Sequence, residues 1–105
     1  MIKVKYYYSE DGLSKGFSLK GHSGFAEHGS DIVCSAVTSN SIAVINSLDR
    51  LQKVEFEKIV ADEGHIECLV KDECLEKSQL LLMHLQLAID EIKKEYPENI
   101  KIYKK

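Results

Sequence analysis

Residues 21 to 34, Gly21-His22-Ser23-Gly24-Phe25-Ala26-Glu27-His28-Gly29-Ser30-Asp31-Ile32-Val33-Cys34, separate two periodicities. Before them, Phe17 and Leu19 keep the period of two that marks a half-buried strand. After them, Val33, Val37, Val44, Leu48 and Leu51 fall on one side of a helix. A strand therefore gives way to a helix through a loop punctuated by Gly21, Gly24 and Gly29. The pattern predicts a helix from Asp31 to about Gln52 with Ser30 as its N-cap.

Working outward, Ile2, Val4, Tyr6 and Tyr8 alternate with Lys3, Lys5 and Tyr7, and Asp11-Gly12 supplies the turn of a hairpin. A second strand pair is expected over Val54–Val60 and His65–Val70, around the turn sequence Asp62-Glu63-Gly64. Leu75, Leu82, Leu85, Ile89, Ile92 and Tyr96 then take a three-four spacing, which predicts a helix from near Asp72 to Pro97. Ile100 and Ile102 close the chain with a short strand. The order ββαββαβ implies an α+β fold, a two-layer sandwich of a mixed or antiparallel sheet and two helices, with residues 1–105 forming a single domain.

Leu80, Leu81, Met83 and Leu87 widen the apolar surface of the second helix beyond one stripe. Two readings follow. The helix is buried more deeply than two helices on one sheet face would require, or its outer face meets a partner.

The chemistry centres on His22 and Cys34. A cysteine at a helix start meets backbone N–H groups without intrahelical partners and the positive end of the macrodipole, both of which favour thiolate over thiol. His22 stands just past a strand end, a rigid place from which to present an imidazole as base or cation. Asp31 opposes a thiolate if it is ionised beside the sulfur, so it is better suited to accept a hydrogen bond from the imidazole or from the helix N–H groups. Cys68 sits in a strand whose alternation points it inward, and reads as core. Cys74 opens the second helix among Asp72, Glu73 and Glu76, charges that disfavour a thiolate, and reads as surface or partly buried. His28 lies in the loop and reads as solvated; His65 and His84 show no partner in the sequence.

This arrangement resembles the ribosomal-processing cysteine protease (Prp) family. Gly21-His22, the glycines of the connecting loop, then Gly29-Ser30-Asp31-Ile32-Val33-Cys34 with Ala36-Val37-Thr38 behind it carry the likeness, and the order of elements extends it over nearly the whole chain. The family favours serine at position 38; Thr38 keeps the hydroxyl. The resemblance implies His22 as general base, Cys34 as nucleophile and Asp31 as an orienting or loop-anchoring residue. It implies a substrate that is the N-terminal extension of large-subunit ribosomal protein twenty-seven, no cofactor, and a homodimer through the second helix.

Gly21, Gly24, Gly29 and Ser30 would belong to a loop that opens for an extended peptide, with Phe25 covering an apolar substrate side chain. The backbone N–H at Ser35 is a candidate oxyanion donor. Two other classes compete. His22, His28 and Cys34 as metal ligands lack the compact spacing of structural zinc and a fourth donor. A non-catalytic ribosome-associated module, with the glycine loop as a phosphate nest, lacks a lysine in that loop.

Bulk properties bound the rest. A net charge of −3 gives the molecule as a whole no attraction to nucleic acid. Met1-Ile2-Lys3-Val4-Lys5 reads as a strand and not as a signal peptide, and no uninterrupted apolar run approaches the roughly 18 residues of a membrane span. Three cysteines at irregular spacing form no disulfide framework. These features lead to the expectation of a cytoplasmic protein without membrane or nucleic-acid contacts.

Overall fold

The computed structural model describes residues 1–21 and 28–104, the side chains of residues 28–31 excepted. Its elements are β1 (Ile2–Tyr8), β2 (Ser14–Lys20), α1 (His28–Arg50), β3 (Phe56–Asp62), β4 (His65–Val70), α2 (Leu75–Glu95) and β5 (Ile100–Lys104). A single 3-10 turn, Asp72–Cys74, leads into α2. The order ββαββαβ is the expected one.

The five strands form one mixed sheet in the order β3-β4-β2-β1-β5. The pairs β1–β2, β2–β4 and β3–β4 are antiparallel, while β1 and β5 run parallel. Residues directly opposite each other share a face. Val4 lies across from Leu19, Tyr6 and Cys68 both lie across from Phe17, and Leu19 lies across from Ile66, so one face collects the apolar positions. Val33, Val37, Val44 and Leu48 of α1 and Leu82, Leu85 and Ile89 of α2 join them in the buried core. Gly16 is required where β2 passes β4, because a Cβ there would overlap the Cys68 carbonyl oxygen.

Side-chain amides fasten α2 to the sheet. Gln79 pairs with the Ser14 backbone as a strand would, accepting from its N–H at 2.8 Å and donating to its C=O at 2.6 Å. Gln86 donates to Ser14 Oγ at 3.0 Å and accepts from the Tyr8 hydroxyl at 3.1 Å.

Three expectations need correcting. Helix α1 begins at His28, so Ser30 is a helical residue and not the N-cap. Strand β3 starts at Phe56, because Val54 is drawn into the core before the strand begins, its N–H donating to the Leu48 carbonyl. Cys74 is buried, with the Glu55 N–H 3.5 Å from its sulfur. Helix α1 carries no long uninterrupted apolar run, but Ile32–Arg50 is long and apolar enough to cross a membrane by length and composition. It buries Val33, Val37, Val44 and Leu48 against the sheet, which is the place of a core helix.

The outer face of α2 is exposed at Leu80, Met83 and Leu87, with Leu80 at 79%. The deeper-burial reading of that helix is thereby excluded for the single chain.

Candidate active site

Where the carboxyl end of β2 meets α1, the sheet and the helix layer part to leave a cleft of about 470 Å³. Ile2, Leu19 and Ile66 line it from the sheet, and Cys34, Val37 and Thr38 from α1. The β3–β4 turn, with Asp62 and Glu63, forms an acidic part of its lining. The cleft thus joins apolar walls, suited to a hydrophobic side chain, with carboxylates suited to a cationic group.

Cys34 is half-buried, its body packed against the core while it lines the cleft. The other two cysteines are buried. Burial pushes the Cys68 thiol up to about 12, as removal of a charged form from water demands. Among the three sulfurs, only that of Cys34 combines partial exposure with a place in the cleft.

Gly21 lines the same cleft and is the residue from which the chain enters position 22. Its φ of +99° and the lack of space for a side chain, since a Cβ would lie 2.6 Å from the Met1 carbonyl oxygen, both require glycine. His22, Gly24 and Phe25 lie outside the described residues, as do the side chains of His28, Ser30 and Asp31. Gly29 is described only as a helical position, in the first turn of α1.

The early start of α1 places Cys34 in the second turn. Ser35 is exposed, and its amide lies beyond the first four N–H groups, those that a helix leaves free. The expectation of Cys34 in the first turn and the oxyanion expectation at Ser35 therefore both lose the helix-end argument that supported them.

His65, for which the sequence reading found no partner, has one. Its Nε2 donates to Glu67 Oε1 at 3.2 Å, and the other carboxylate oxygen of Glu67 lies 3.4 Å from Lys58 Nζ. The i, i+2 spacing along a strand puts both side chains on one face, a signal already present in the sequence. That face is opposite Ile66 and Cys68, and His65, at the start of β4, also contributes to the lining of the Cys34 cleft. Among the described residues, no group of three His, Cys, Asp or Glu side chains is placed to hold a metal ion.

A half-exposed cysteine in a cleft, one helical turn into a core helix, is the geometry that comparison with known proteins has to explain. The family model described as cysteine protease Prp matches residues 1–101. The chain belongs to the Prp family of cysteine proteases. The ribosomal processing cysteine protease Prp of Bacillus subtilis (strain 168) is 27% identical over 107 residues, covering 97% of this chain and 96% of the relative. The crystal structure of the Staphylococcus aureus ribosomal processing protease Prp with a substrate peptide superposes with a TM-score of 0.90 at 26% identity, covering both chains fully. A second structure of the Staphylococcus aureus Prp, with a covalently linked product peptide, gives 0.86 at 27% identity over the same full coverage. The α+β architecture is thus the Prp fold, and the activity is that of a cysteine protease.

Proposed function

We propose that this Prp-family protease cleaves the N-terminal extension from large-subunit ribosomal protein twenty-seven, with Cys34 as nucleophile and His22 as general base. The observation that carries the assignment is the convergence on one cleft of Cys34 and Gly21, the residue that precedes His22 in the chain. His22 takes the thiol proton and the thiolate attacks the scissile carbonyl. The imidazolium then protonates the leaving amine, and water, activated by the same imidazole, releases the acyl group and restores the thiol. Asp31 orients the imidazole or anchors the loop.

The extended substrate places bulky apolar and aromatic residues before the cut, in keeping with the walls formed by Ile2, Leu19, Val37 and Ile66. Gly24 and Phe25 belong to the loop that admits and covers it, while Gly29 falls in the first turn of α1. The reading includes a cytoplasmic location and a homodimer, supported by the exposed Leu80, Met83 and Leu87 on α2.

The test is hydrolysis of a peptide spanning the end of the extension, by the wild type and by the His22→Ala and Cys34→Ala variants. Each variant is expected to lose about 10³-fold or more in kcat/KM, and chelator should leave the wild type unaffected. A Cys34→Ala variant that keeps most of its rate would rule out the nucleophile.

A further inference from the structure

The register of the sheet places lysines in a row that the fold does not neutralise. Lys3 of β1 lies directly across from Lys20 of β2 on one side and Lys101 of β5 on the other. Cross-strand partners share a face, and this is the face turned away from the helices, since Val4 and Leu19, one position along, belong to the core. All three lysines are exposed, and among the described residues none has an ion-pair partner. Strands lie about 4.8 Å apart, so the row carries three like charges within roughly 10 Å. Like charges directly opposite one another destabilise a sheet.

The same face holds Lys5, across from Tyr103, and Tyr7, across from Gly16. Lys101 Nζ stands 5.5 Å from the centroid of the Tyr103 ring. Acidic residues on the face include Glu67, held between His65 and Lys58, and Asp62, at the far edge across from His65. The net charge of −3 averages over a surface that is strongly divided.

We propose that this open sheet face binds single-stranded nucleic acid, the Lys101-Lys3-Lys20 row contacting phosphates and Tyr103 and Tyr7 offering stacking surfaces. An acidic peptide would use the charges alone. A single strand uses both the charges and the rings, the combination found on sheet platforms that bind unpaired bases. None of Lys3, Lys20, Lys101, Tyr7 and Tyr103 lines the Cys34 cleft, which the face meets only at its far edge, at Asp62 and His65, so the inference does not depend on the proposed cleavage.

The test is fluorescence anisotropy with a labelled oligouridylate of roughly 12 nucleotides, titrated at about 50 and about 200 mM salt. The wild type should bind at low salt and weaken steeply with salt. Replacing the row (K3Q, K20Q, K101Q) should weaken binding about tenfold or more. It should also reduce the log–log salt slope by about 2, at roughly 0.7 per single-strand phosphate contact. The same charge removed from α2 (K77Q, K93Q, K94Q) should change binding little, and Tyr103→Leu should weaken it with the slope kept. The row variant should melt no lower than the wild type, because it relieves repulsion, and should retain peptide hydrolysis. No binding by the wild type at low salt, equal losses from the α2 variant, or displacement of the oligonucleotide by polyglutamate at matched charge would each overturn the proposal, the last in favour of an acidic protein.

Discussion

The Gly21 N–H donates to the carbonyl of Gly64 at 3.0 Å. That bond ties the end of β2 to the β3–β4 turn, and both residues line the Cys34 cleft. Gly21, the residue that precedes His22 in the chain, is therefore fixed to the sheet by backbone pairing.

Gly21→Ala tests this anchor. The substitution forces a side chain into a left-handed backbone conformation and against the Met1 carbonyl. A loss of about 1–3 kcal/mol in unfolding free energy is expected from such strain, with kcat/KM falling further than the same variant's folded fraction explains. Denaturant titration and peptide hydrolysis on the same sample separate the two effects.

The three thiols should react in a fixed order. Cys34 is half-exposed, while Cys68 and Cys74 are buried, so brief alkylation near neutral pH should add one label, located to the Cys34 peptide by mass spectrometry. Labels on Cys68 or Cys74 should appear only in denaturant. A native protein labelled first at Cys74 would contradict the packing described for the Glu55–Cys74 contact.

The buried Cys68 makes stability depend on alkaline pH. Its folded pKa is raised to about 12 from an ordinary value of 9.0, so folded and unfolded forms hold the proton equally below 9.0 and the contribution is fully present there. Above 9.0 the unfolded chain loses the proton first, and the contribution is lost as pH rises toward about 12. Tyr6 acts in the same direction, its phenol raised by burial and by Asp90, whose Oδ1 accepts its hydroxyl hydrogen bond at 3.2 Å. Unfolding free energy should fall from about pH 9 toward about pH 12, and fall less in a Cys68→Ala variant. An equal slope in the two proteins would count against the thiol.

The exposed face of α2 is expected to hold two copies of the chain together. Leu80→Lys with Leu87→Lys, both at exposed positions, should convert a dimer to a monomer in sedimentation velocity and leave the melting of the single chain nearly unchanged. A wild type that sediments as a monomer at tens of micromolar would remove the homodimer from the account.

The two periodicities around residues 21–34 made the element order legible, because each strand and helix carries its own repeat of two or three-four. Strand order was not legible in the same way. Pairing β2 with β4 and β1 with β5 depends on contacts between residues far apart in the chain, which no local pattern encodes. The start of α1 was misplaced by three residues because a serine before an apolar run reads as a cap, yet the helix continues back to His28. Cys74 was misread because its acidic neighbours Asp72 and Glu73 are exposed while the 3-10 turn rotates the sulfur inward beneath Glu55. The His65–Glu67 pair was available as an i, i+2 spacing on a strand. Cys34 stood out in the sequence because a glycine loop, an expected helix start and a histidine coincide within fourteen positions; the structure places it in the cleft, in the second turn of α1.

The most direct test of the central claim is the intact mass of the host's full-length ribosomal protein twenty-seven after incubation with this protein, with Cys34→Ala and buffer as controls. A single N-terminal trim seen only with the wild type is the predicted result. An untrimmed protein, in a sample whose Cys34 is alkylated readily and whose fold is intact, would contradict the substrate assignment; the same trim by Cys34→Ala would contradict the chemistry.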